Sequence, residues 1–195
     1  MSSNLSRLIW GLVLLLLFFV GCSKYNGFVS KSQDVNGAWA NVQSAYQRRA
    51  DLIPNLVNTV KGYADFEQST IVAVTEARAK ATSMTIDPSK ATTQQLTDFQ
   101  NNQSVLGQAI GRLLAVSERY PDLKANQNFL ELQSQLEGTE NRIKTERDKY
   151  NAAVKDYNIS VQQFPGVIFA KTFGFPSRPM FEADKGSEKA PKVEF

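Results

Sequence analysis

FLELQSQLEGTENRIKTERDKYNAAVKDYNISVQQF, residues 129–164, carries an apolar or aromatic side chain every seven residues: Phe129, Leu136, Ile143, Tyr150, Tyr157 and Phe164. Seven residues are close to two turns of α-helix, so these positions form one edge of a buried seam. The flanking position slides from Leu132 through Thr139 to Val154 and Val161, moving one place later along the segment. A helix of 3.6 residues per turn drifts in this way against a strict heptad, which predicts a long and nearly straight rod. Pro165-Gly166 ends it.

Working towards the amino terminus, Val35, Trp39, Val42, Tyr46, Ile53, Leu56, Val60, Ile71, Val74, Ala77 and Ala81 recur at helical spacings. Pro54 interrupts them: it lacks an amide donor and its ring crowds the carbonyl of Ala50, so a kink or restart is expected between Asp51 and Pro54, with Asp51 as cap. Asp87-Pro88-Ser89 punctuates next, and a helix from about residue 89 to 118 carries Leu96, Phe99, Leu106, Ile110 and Leu113. Tyr120-Pro121-Asp122 stops it.

At about 1.5 Å per residue, 54–84 and 89–118 are matching rods of about 45 Å, and 122–164 is longer, about 65 Å. The stretch 33–53 covers the excess. The expected fold is therefore all-α, an antiparallel helical bundle over residues 33–175, built from three long helices with the first kinked or split into four segments overall. Residues 167–175 suit one or two further helical turns. Residues 176–195 read as an extended carboxy-terminal tail whose aromatic neighbours Phe169, Phe173, Phe175 and Phe181 close one end of the core, with 185–192 mobile.

Composition narrows the function. The chain has 195 residues, 22 Lys+Arg against 19 Asp+Glu, one cysteine and no histidine. The charges are interspersed and form no basic face, so no nucleic-acid partner is expected. Without histidine, the common metal sites and Ser-His-Asp or Cys-His relays cannot be built, and no phosphate-binding glycine motif is present. The expectation is a protein that is not an enzyme and holds no cofactor and no metal. Glu137, Glu140 and Glu146 offer carboxylates but lack the Glu-x-x-His partners of helical metal sites.

The amino-terminal residues 1–21 form a targeting or anchoring segment. Arg7 precedes thirteen residues, Leu8 to Val20, all apolar apart from Gly11. Such a helix rises about 20 Å, against a hydrocarbon core of about 30 Å. That length suits a signal-peptide core, and Gly21-Cys22 resembles the lipobox of bacterial lipoproteins, with Phe19 where that pattern favours Leu. Two readings follow: a lipid on Cys22, or a short uncleaved span. Either one tethers the domain to a membrane through residues 22–32, read as a polar linker.

The blocks RRADLIPNLVNTVKGYA at 48–64, YPDLKANQNF at 120–129, LQSQLEGTENRI at 132–143 and YNAAVKDYN at 150–158 resemble, in order, the pattern of the bacterial LemA family. The resemblance implies a membrane-anchored, all-helical domain with no active site to transfer. Arg48, Arg49, Asp51, Pro54, Asn55 and Lys61 gather at the expected kink as a candidate interaction site. The structural alternative pairs the arginines with Glu140 or Glu146 on the last helix. Tyr150-Asn151 and Tyr157-Asn158 repeat at one heptad, either as a polar recognition stripe or as core packing. The expected function is an envelope protein with a structural or interaction role and an envelope protein partner, its bundle on the periplasmic or extracellular side. The alternative is a binding module for a peptide or lipid at the kinked first helix.

Overall fold

The heptad seam lies within one helix. Phe129, Leu136, Ile143, Tyr150 and Tyr157 are all buried, whereas Phe164 is 82% exposed because the helix stops at Gln162, short of it. The computed structural model describes residues 2–62 and 67–182, with side chains from Arg7 onward, and the chain is all-α. The segment 185–192, expected to be mobile, lies outside the described residues. The helices are α1 (Ser2–Lys61), α2 (Gln68–Thr82), α3 (Thr93–Ser117), α4 (Pro121–Lys124), α5 (Gln127–Gln162) and α6 (Gly166–Phe173).

Contacts fix the topology. Tyr150 of α5 meets Trp39 of α1 (ring centroids 5.4 Å apart), while Glu140, further back on α5, meets Arg49, further along α1. The two helices are therefore antiparallel. Gln103 of α3 donates to the Ala81 carbonyl near the end of α2, and Arg112 lines a cleft with Ser69 at its beginning, so this pair is antiparallel too.

The first helix is not split at Asp51–Pro54. It runs from Ser2 to Lys61 with Pro54 inside, about 90 Å long, and the division from the next helix falls between Lys61 and Gln68. The reason is a contact from the next helix. Pro54 leaves the Ala50 carbonyl without its amide partner, and Nε of Arg78 in α2 donates to that oxygen at 2.7 Å. Satisfying the freed acceptor removes the main electrostatic penalty of a proline inside a helix.

Residues 22–32, expected as a linker, also belong to α1. Phe28 is 2% exposed within the core, and Ser32 accepts a hydrogen bond from Arg178. The two later helices begin further along than expected. Asp87 instead makes a turn in which its carboxylate accepts from the Ser89 amide, and α3 starts after Thr92, where Thr92 and Gln95 form a reciprocal capping box. Pro121–Lys124 is a separate turn, and Asn126 caps α5 by accepting from the Phe129 amide.

If Arg78 replaces the lost helical donor, Arg78→Met should lower unfolding stability by about 1–3 kcal/mol in urea titrations. Because Pro54→Ala returns an amide to the Ala50 carbonyl, the same Arg78→Met change made in that background should cost clearly less. Additive effects of the two substitutions would refute the link.

Candidate functional site

The buried apolar side chains fall into two clusters stacked along the bundle. One takes Leu52 to Val60 of α1, with Leu106 to Leu113 of α3 and Phe129 and Leu136 of α5. The other takes Phe28 to Tyr46 of α1, with Leu96 and Phe99 of α3 and Ile143 to Val161 of α5. Between them lies a polar layer: Arg49 on α1, Gln103 on α3, and Thr139 and Glu140 on α5.

Arg49 organises this layer. Its side chain is 4% exposed, with Nη1 2.8 Å from Glu140 Oε2 and Nη2 donating to both the Gln103 carbonyl (3.0 Å) and Gln103 Oε1 (2.7 Å). Gln103 passes the connection on, donating through Nε2 to the Ala81 carbonyl at 3.1 Å. The guanidinium also lies over the Tyr46 ring, 5.2 Å from its centroid, while its Nε has no partner. Glu140 is 63% exposed, so the ion pair keeps one foot in water and adds little by itself. The buried end is what matters, since a lost guanidinium would strand the Gln103 acceptors. A cleft of about 290 Å³ opens against this layer, lined by Tyr46, Arg49, Gln103, Glu140 and Arg147 among others.

The other expected site residues do not converge there. Arg48, Asp51, Pro54, Asn55 and Lys61 are all exposed on α1. Asp51 caps nothing and instead accepts from Gln47 Nε2 at 2.7 Å, and the Asn55 carbonyl accepts from the Thr59 hydroxyl. Glu146, which lies on the buried seam, is paired with Lys149 rather than with an arginine of α1. Among the described residues no three His, Cys, Asp or Glu side chains gather as a metal site would require. Cys22 is exposed on α1.

The Tyr-Asn repeat proves to be both core and recognition stripe, and what it recognises is the chain itself. Residues 175–182 run without helix along α5. Asn158 grips Arg178 with both ends of its amide, Oδ1 accepting from the backbone amide and Nδ2 donating to the carbonyl, each at 2.9 Å. Asn151 does the same to Phe181, at 2.9 and 3.0 Å. Tyr157 donates to the Pro176 carbonyl and Tyr150 to the Pro179 carbonyl. Both pairs match a seven-residue step on the helix to a three-residue step on the strip. The spacings agree because seven helical residues rise about 10.5 Å and three extended ones about 10 Å. Arg178 anchors the strip to α1, donating to Ser32 Oγ (2.7 Å) and Asn36 Oδ1 (2.8 Å) while lying over the Tyr157 ring.

Comparison with known proteins fits this architecture. The model of the LemA family matches residues 38–195. The chain belongs to the LemA family. Magnetosome protein MamQ 2 of Paramagnetospirillum magneticum is 29% identical over 82% of this chain and 65% of its own length. MamQ of Magnetospirillum gryphiswaldense is 26% identical over 78% of this chain and 62% of its own. Protein LemA of Metamycoplasma hominis is 24% identical, covering 87% of this chain and 74% of its own. The chain thus covers less than two thirds of the length of these magnetosome relatives.

Burial holds the Tyr150 hydroxyl protonated, pushing its pKa up to about 12 against the opposing charge of Arg178, and raises that of Tyr157 for the same reason. A neutral phenol favoured by the fold contributes stability that is complete below about pH 10, the unfolded value, and lost as pH rises to about 12. Alkaline titration should therefore show tyrosinate absorbance from these two residues last, together with release of the strip as read by protease cleavage near Arg178. Early ionisation of all tyrosines with the strip still protected would contradict this.

Proposed function

We propose that the protein is anchored in a bacterial envelope membrane by its amino-terminal helix and presents its LemA bundle there in a structural or protein-interaction role. The observation that carries this reading is the character of α1. From Leu8 to Phe19 its large apolar side chains are 39–68% exposed, yet the same helix continues without a break into the core at Phe28, Val35 and Trp39. A water-exposed apolar surface of that extent is costly, and a bilayer removes the cost. The anchor takes one of two forms, acyl chains on Cys22 or the apolar helix itself as a short span. Both place the bundle on the periplasmic or extracellular side if the leader is exported in the usual way. An envelope protein is the proposed partner, met through the exposed faces of α2, α3 and α5. No catalytic role is proposed.

A second reading, a binding module for a peptide or lipid on α1, has one observation in its favour: the cleft beside Arg49, one turn before Pro54. Its polar lining suits a peptide better than an acyl chain.

Fractionation followed by intact-mass measurement tests the main reading. The protein should remain with membranes after alkaline carbonate washing. Its mass should correspond either to a chain starting at Cys22 with added acyl groups or to the full chain from Met1. Recovery in the soluble fraction with neither feature would overturn it.

A further inference from the structure

The end of the bundle nearest the apolar segment is built differently from the rest of its surface. Helix α6 folds back beside residues 21–28 of α1. A Cβ at the buried Gly21 would sit 3.5 Å from the Phe169 ring, and Tyr25 meets Phe173 edge-on at 5.3 Å. The placement is fixed by Gly166, where an added Cβ would come within 2.3 Å of the Ser160 carbonyl oxygen, so no other residue allows α6 to turn this closely against the last turns of α5. Held in that position, α6 and its approach expose large apolar side chains: Phe164 at 82%, Ile168 at 56% and Phe173 at 41%, with Tyr25 of α1 at 44% beside them. Elsewhere on the bundle such exposure occurs at single positions such as Val72 and Val105, an ordinary feature of soluble surfaces. Here it is concentrated at one end of the bundle, on α6, the turn before it and the adjoining turn of α1, and continues from the apolar segment itself.

We infer that α6 and the turn leading into it form an interfacial element, whose exposed Phe164, Ile168 and Phe173 are covered by the lipid surface from which α1 emerges. The inference rests on the membrane attachment proposed above, but not on which form the anchor takes. If the apolar run spans, its length of about 20 Å falls short of a hydrocarbon core of about 30 Å, so the bilayer must thin or the end of the bundle must be drawn into the headgroup region. If Cys22 carries the acyl chains, it lies one turn before Tyr25, and the same level of the bundle meets the lipid. Aromatic side chains with a polar neighbour are favoured at that depth, and Lys24 and Lys171 at the same level can reach lipid phosphates while their stems stay in apolar surroundings. Lipid thus covers a patch that would otherwise be left in water, and α6 limits the tilt of the bundle on the membrane.

Site-specific quenching tests this. The full chain, carrying Trp10→Phe to remove the reporter in the leader, is placed in vesicles of phosphatidylcholine and phosphatidylglycerol brominated near the top of the acyl chains. Ile168→Trp and, separately, Phe164→Trp report on α6 and the turn leading into it, and Val105→Trp on α3 reports on the far half of the bundle. Trp39, which is 2% exposed, gives a constant unquenched background. Docking predicts that fluorescence from positions 168 and 164 is quenched several-fold more than from 105. Equal, weak quenching at all three positions in protein that floats with the vesicles would overturn the docking and leave the anchor standing. Protein that fails to float would overturn the attachment itself.

Discussion

One hydrogen bond decides the shape of the molecule. Pro54 should break the first helix because it deprives the Ala50 carbonyl of its partner, and a buried unsatisfied acceptor costs as much as many mutations that unfold domains. Arg78 supplies the missing donor from the neighbouring helix. The outcome is a single α1 of sixty residues in place of two shorter segments. Everything else follows from that rod: α5 has a continuous partner of sufficient length to lie against, α2 is held by Arg78, and α6 is placed where the rod turns apolar.

Two further polar devices fix how the helices align along the rod. The layer of Arg49, Gln103 and Glu140 divides the core into two apolar clusters, and only one axial alignment lets the guanidinium reach its acceptors on α3 and α5 together. Buried ionic groups of this kind contribute little net stability but penalise every displaced arrangement. The asparagine pair on α5 does the same for the carboxy-terminal strip, because main-chain amide and carbonyl must both be met at Arg178 and again at Phe181. The strip then closes the aromatic cluster, with Phe181 stacked on Trp39 at a centroid distance of 5.9 Å.

What could be read from the sequence was whatever depends on spacing within one helix. The seam from Phe129 to Tyr157 is visible because burial repeats every two turns, and Arg49 sits on the apolar spacing of its own helix; the same spacing marked Glu146 as its partner, whereas the guanidinium reaches Glu140, off the seam, and Glu146 pairs with Lys149. The continuity of α1 was not legible, since the group that rescues the Ala50 carbonyl lies 28 residues later in the chain and no local rule connects them. The same holds for residues 22–32. Their polar composition resembles a linker, and only the docking of α6 and Arg178 gives Phe28 a reason to be buried and Ser32 a partner. The Tyr-Asn repeat offered two readings because its partner is an extended segment whose three-residue register is invisible until both strands of contact are seen together. Phe164 kept the heptad spacing yet lies past the helix end, a reminder that period alone does not mark a boundary.

The chain is a LemA-family helical bundle in which the apolar amino-terminal segment and the packed core share one helix. That picture stands on the continuity of α1. Pulsed electron spin resonance between labels introduced at the exposed positions Ser30 and Asn58 measures it directly. An unbroken helix predicts one narrow distance distribution with Cα separation of about 42 Å, before allowance for label length. A broad or clearly shorter distribution would show a break at Asp51–Pro54 and contradict the account.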